Sequence, residues 1–247
     1  MENVHAERSA GWSVLCYVAV LIVATFITSP LAPPANDPAR LALLIDANRH
    51  NLLLAAWLSF PASAFFLWFL VGLRAYLRRG TGQPEGLGTL ALIAGVVMTT
   101  MAILAAALES MLAYVPPEVF QGGGFAGVYS AFLFIQDGLG YAPASIFFFA
   151  AAHSMRRHHS APQWLAWLGY LAGVGTAFAT LSIFYNDPTM SPTGPGPGVL
   201  GALPSALWLI ATGIVFVRLR PPATDAETPP ATDAETAPAT EAATPPA

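Results

Sequence analysis

The sequence predicts an all-α, polytopic membrane protein: a bundle of six transmembrane helices with both termini on the cytoplasmic side and a disordered C-terminal tail. Three observations predict it. Hydrophobic residues make up 55% of the 247-residue chain and charged residues only 10%, against roughly 45–50% and about 25% in ordinary soluble domains. The apolar residues fall into six long blocks, each near or above the ~20 residues that a helix needs to cross ~30 Å of hydrocarbon. The basic residues, all of them arginine, gather at alternate block ends.

The first block, 11–29, reads GWSVLCYVAVLIVATFITS. It exceeds the about 7–15 apolar residues of a signal sequence and is followed by no A-x-A cleavage site, so it is expected to remain as a helix. The single cysteine, Cys16, lies within it. No intrachain disulfide is available, and the thiol is expected to serve packing. The loop that follows contains PPANDPARLALLIDANRHN. Asp37 can cap backbone N–H groups while Pro38 takes the first helical position, so a short helix is expected from Pro38 along the outer surface. Its Leu41, Leu44 and Ile45 suit either the bilayer interface or packing on the outer loops.

The remaining spans are expected at about 52–73, 87–113, 125–152, 164–185 and 198–217. Small residues punctuate them. In GYLAGVGTAFAT, Gly169, Gly173 and Ala177 form a small-xxx-small stripe that lets helix backbones approach closely in lipid. Residues 1–220 thus form one bundle. Beyond Arg220 the octapeptide PPATDAET at 221–228 repeats at 229–236, and no aromatic or large aliphatic residue follows. Nothing there offsets the entropy of ordering, so 221–247 is expected to be a disordered acidic tail.

The arginines orient the bundle. Arg8 precedes the first span, Arg74, Arg78 and Arg79 follow the second, Arg156 and Arg157 the fourth, and Arg218 and Arg220 the sixth. Only Arg40 and Arg49 fall on the other side, and loops 114–124 and 186–197 carry no basic residue. The positive-inside rule then places both termini in the cytoplasm, as expected of a multi-pass inner-membrane protein.

Against this apolar background two carboxylates stand out. Counting about 20 residues back from His153 puts the outer hydrocarbon boundary near Leu133, so Asp137 lies about one turn inside it. Glu109 of the third span falls at nearly the same depth, and Arg49 and His50 begin the second span on that side. An ionised group in lipid costs about 2.5–3.5 kcal/mol even on lenient insertion scales, so Asp137 is expected to face the bundle interior. Ser130, Asp137, Tyr141 and Ser145 share one face of an α-helix, and Gly138, Gly140 and Pro143 weaken that helix beside the charge. Two readings follow: a helix clamp in which Arg49 pairs with a carboxylate, or a polar cavity for a small solute or a proton.

Other chemistry finds less support. His153, His158 and His159 lie near the inner boundary and His50 near the outer one, so no two face each other as a haem sandwich requires. The HxxxxHH cluster beside Arg156 and Arg157 reads as a juxtamembrane group at the lipid headgroups rather than a metal site. No nucleophile elbow, HExxH, phosphate-binding glycine loop or cysteine pair occurs. No catalytic residue, metal, cofactor or nucleic-acid partner is therefore expected.

AERSAGWSVLCYVAVLIVATFI at the start, DPARLALLIDANRHN in the first outer loop, SAPQWLAWLGYLAGVGTAF before and within the fifth span, and LPSALWLIATGIVFVRLR at the sixth together resemble a family. It is a group of uncharacterised six-helix bacterial integral membrane proteins, common in high-GC bacteria and classed as a domain of unknown function. The resemblance covers most of residues 7–220. It implies the six-span fold and carries no activity or catalytic residue with it.

Two functions from different classes are expected from these features. One is a small permease or sensor whose outer-leaflet cavity is lined by Asp137, Glu109, Arg49 and Tyr141. The other is a structural or accessory subunit whose intramembrane charges clamp helices and whose tail recruits a cytoplasmic protein.

Overall fold

A backbone in hydrocarbon must satisfy its own hydrogen bonds, which leaves a spanning chain little choice but the helix. In the structure, a computed structural model, residues 2–28, 38–78, 86–115, 124–185, 187, 189–191 and 195–219 are described. The regular elements among them are all helical: α1 (Glu2–Thr28), α2 (Pro38–Ala47), α3 (Arg49–Arg78), α4 (Gly86–Tyr114), α5 (Gly124–Leu133), α6 (Tyr141–Arg157), α7 (Gln163–Thr180), α8 (Pro195–Pro197) and α9 (Leu203–Val217). A π-helical segment, Phe134–Leu139, joins α5 to α6, a 3₁₀ turn, Leu181–Phe184, ends α7, and a second π segment, Gly198–Ala202, leads into α9. The expected tail, 221–247, and Asp37 lie outside the described residues.

Six helical stretches are long and apolar enough to cross a membrane: Glu7–Thr28, Arg49–Arg78, Gly86–Tyr114, Ala126–Arg157, Gln163–Phe184 and Gly198–Val217. They run a few residues beyond the expected second and fourth blocks at the end where Arg78 and Arg157 close their helices. Long arginine stems reach out of the hydrocarbon while the helix continues beneath them.

The spans close into a ring. α1 packs on α3, α3 on α4, α4 on α6, α6 on α7, α7 on α9, and α9 returns to α1. Aromatic side chains fill the middle. Phe66, Phe69, Phe147, Phe148, Trp208 and Phe216 are all essentially inaccessible, and the rings of Phe66 and Phe147 meet across the bundle at 5.8 Å. Trp208 stands nearly perpendicular to Phe147 and Phe148, with interplanar angles of 90° and 87°. These edge-to-face contacts complement the ring quadrupoles. The outer surface is rich in large apolar side chains: Phe26, Trp57, Val71 and Phe184 are all exposed. Such a surface suits lipid, and the protein contacts the bilayer along it.

Buried hydroxyls satisfy themselves locally. Thr99 donates to the Gly95 carbonyl, Thr176 to Ala172 and Thr212 to Trp208, each at 2.8 Å. Between helices, Ser13 of α1 donates to the Phe65 carbonyl of α3. Glycines set the closest approaches. A Cβ on Gly11 of α1 would come within 2.9 Å of the Gly213 carbonyl oxygen of α9, so the two backbones nearly touch. Within the expected small-residue stripe of α7, Gly169 and Gly173 are buried, the first under Trp208 and the second under the Phe149 ring. Ala177 is exposed instead, and Thr176 takes the buried position. A strict four-residue step drifts off the face of a helix with about 3.6 residues per turn.

The short helix expected from Pro38 is α2. Of its two expected environments it takes packing on the bundle, because Leu41 and Ile45 are buried against Leu52, Leu112, Ala113 and the partly buried Val128, Tyr129 and Phe132. Its Leu43 faces outward.

Candidate functional site

The fourth span is broken where Gly138, Gly140 and Pro143 cluster. Pro143 has no N–H, and its ring collides with the carbonyl four residues back, so regular α-helix cannot run through it without adjustment. The chain responds with a wider turn: the Gly140 N–H donates to the Ile135 carbonyl five residues earlier, at 3.0 Å. That turn brings the Ile135 oxygen within 2.5 Å of where a Cβ on Gly140 would sit, which explains the glycine. Asp137 lies inside this π segment. Its backbone carbonyl accepts a hydrogen bond from Ser182 Oγ at 3.2 Å. Ser182 belongs to the 3₁₀ turn of α7, and the Tyr141 ring lies against Gly201 of the second π segment. Three irregular segments thus meet around Asp137. Helix breaks of this kind recur at functional sites of membrane proteins, because they free backbone groups and widen the space between helices.

The π segment also resets the face of the span. Two α turns take about seven residues, but a turn bonded five residues back takes more, so eight residues separate stacked side chains across it. Tyr129, not Ser130, therefore stacks toward Asp137. Ser130 is exposed, whereas the phenols of Tyr129 and Tyr141 both lie within electrostatic reach of the Asp137 carboxylate. Ser145 is half-buried and donates to the Ala142 carbonyl of its own helix at 2.8 Å.

Glu109 sits in a second, adjoining space. A partly enclosed cavity of about 30 Å³ is roofed by Leu41, Leu44 and Ile45 of α2 and walled by Leu52 of α3, Glu109 and Leu112 of α4, and Tyr129 and Phe132 of α5. Its walls are almost wholly apolar, and a volume of this order holds about one or two waters. Glu109 is half-buried there. Tyr129 lines this cavity and also lies within electrostatic reach of Asp137, so one phenol borders the surroundings of both carboxylates.

Arg49 is engaged elsewhere. Its Nη2 donates to the Tyr114 carbonyl at 3.0 Å, and its guanidinium carbon lies 5.8 Å from the Tyr114 ring centre. This caps the carbonyl end of α4, where backbone acceptors lack helical partners. Among the described residues neither Asp137 nor Glu109 has an ion pair or a side-chain hydrogen bond. His50, at the start of α3, is exposed. Of the seven residues singled out in the sequence, the structure brings Asp137 and Tyr141 together and sets Glu109 in the neighbouring cavity. Arg49, His50 and Ser130 face other surroundings, and the Ser145 hydroxyl bonds within its own helix.

Sequence reasoning passed over Tyr129 and Ser182. Tyr129 carried a signal, its eight-residue spacing from Asp137 in a segment that holds two glycines and a proline. It also passed over Glu7, which is fully buried near the arginine-rich end of the bundle. No group of three or more metal-ligating side chains occurs among the described residues.

A closed ring of six apolar spans, with two carboxylates set beside a break in one of them, defines a multi-pass α-helical membrane protein. The chain belongs to the family described as a domain of unknown function, DUF4386, whose family model matches residues 9–213. The match runs from the first span into the sixth and includes both carboxylates. No curated protein matches the chain, and no solved structure does.

Proposed function

We propose that this protein is a small permease or sensor of the bacterial inner membrane, with both termini cytoplasmic, that receives a small solute or a proton at Asp137 and Glu109. The observation that carries this reading is that Asp137 at the helix break and Glu109 in the adjoining cavity have no basic partner among the described side chains. An ionisable group held in hydrocarbon with no counter-charge is costly, and such groups mark solute or proton pathways. A clamp would need Arg49, and Arg49 is committed to the end of α4. The aromatic filling of the ring argues for a gated or one-sided site rather than a standing pore. The arginine distribution supports an outer-leaflet position for the carboxylates.

The test uses Asp137→Asn and Glu109→Gln, alone and together. Each single variant is expected to unfold at or above the wild-type temperature, since no ion pair is lost. The double variant is expected to fail to complement any growth or transport phenotype of a deletion strain. Breaking a buried ion pair costs about 3–5 kcal/mol. A loss of that size in Asp137→Asn, or full complementation by the double variant, overturns the reading.

A further inference from the structure

We propose that the outward-facing seam between α6 and α7, at the arginine-rich end of the bundle, binds an anionic glycerophospholipid. Three cross-helix contacts define the seam, and their chemistry changes in order along it. At its mouth the Arg156 guanidinium lies over the Trp167 ring, 5.0 Å from the ring centre. About one turn deeper, His153 Nδ1 and the Tyr170 hydroxyl are hydrogen-bonded at 3.1 Å. A further turn down, the rings of Phe149 and Tyr170 approach to 6.3 Å. There a Cβ on Gly173 would meet Phe149 at 3.1 Å, so the ring rests on bare α7 backbone. From Arg156 to Phe149 the helix descends about 10 Å at 1.5 Å per residue. The series runs from cation, through polar pair, to apolar floor. A phospholipid presents the same series as phosphate, ester and acyl chain.

The charge at the mouth has no internal answer. Arg156 and Arg157 are both exposed, neither has a carboxylate partner among the described residues, and residues 146–178 include no acidic side chain. The cation–π contact with Trp167 holds the Arg156 guanidinium without an ion pair among the described residues, and its N–H groups can meet a phosphate in bidentate fashion. His159 closes the hairpin at φ 48 and is exposed beside them. Trp164 and Leu171 extend the exposed apolar border of α7, Trp164 at the level where tryptophan favours the membrane–water boundary.

The experiment is native mass spectrometry of the detergent-purified full chain, given equal amounts of phosphatidylglycerol and phosphatidylcholine of the same acyl chains. About thirtyfold preferential retention of phosphatidylglycerol is expected, from two arginines at the membrane surface. Arg156→Gln/Arg157→Gln, which alters only exposed side chains, is expected to bring the two lipids within about twofold, while Arg218→Gln at the same end keeps the preference. Equal retention of the two lipids by the wild type overturns the proposal without recourse to any variant. An equal loss in Arg218→Gln overturns it in favour of diffuse surface charge. Complete displacement by glycerol 3-phosphate, which has the phosphate but no chains, overturns it in favour of a simple anion site.

Discussion

Trp208→Ala is expected to lower the stability of the bundle by about 3–5 kcal/mol, the range for truncating a fully buried aromatic side chain. The indole sits where α6, α7 and α9 converge. It is inaccessible, stands edge-on to Phe147 and Phe148, and donates its Nε1–H to the Leu165 carbonyl at 3.1 Å. Gly169 has no side chain because a Cβ there would lie 2.7 Å from Nε1. In lipid the helices associate through packing rather than through expulsion of water, so nothing else replaces the dispersion attraction that the indole supplies. Phe147 and Phe148 belong to a helix pinned on both sides and have little freedom to collapse into the space. Trp208→Phe should lose less, about 0.5–1.5 kcal/mol for the hydrogen bond plus a smaller volume term. Equilibrium unfolding in mixed micelles measures both, and an alanine variant within 1 kcal/mol of wild type, roughly the effect of an average substitution, would falsify this account of the core.

Gly175→Ala is expected to be the most disruptive single-methyl addition. A Cβ at this position would lie 2.0 Å from the Leu200 carbonyl oxygen. That oxygen is backbone in a π segment and cannot rotate aside as a side chain can. Overpacking costs about 1–3 kcal/mol where side chains can adjust, and the upper end is expected here. The α7–α9 contact must open, which also loosens the seat of Tyr141 on Gly201 beside Asp137. Gly127→Ala is the control. Nothing lies within 4 Å of its added Cβ, and in a helix interior alanine is favoured over glycine by about 1 kcal/mol. The melting temperatures of the two variants should therefore move in opposite directions, and a fall of equal size in both would refute the packing argument.

The spans were legible in the sequence because hydrocarbon permits few alternatives: a long apolar run must be a helix, and Pro38 marks the start of α2. The break in the fourth span was legible as a place, from Gly138, Gly140 and Pro143, but not as a kind. Period counting assumes one helical pitch, and a π segment changes the pitch, so the count led to Ser130 where the fold presents Tyr129. Arg49 was legible as a residue seeking a partner. Its actual partner, the Tyr114 carbonyl, is backbone and has no signature in the choice of side chains. Glu109 and Asp137 stood out because charge is rare in such a segment. That no described side chain serves them as a counter-ion follows from how the helices are arranged, which no local pattern records.

The ring has a consequence for the order of assembly. α1 emerges first during synthesis and α9 last among the spans, yet they are neighbours, with Gly11 set against Gly213. Until the sixth span inserts, the face of α1 that carries Gly11 and Val14 has only lipid to cover it. The contact that closes the ring can therefore form only once both of these spans are in place, and a bundle without α9 is an open arc with its aromatic interior reachable from the side.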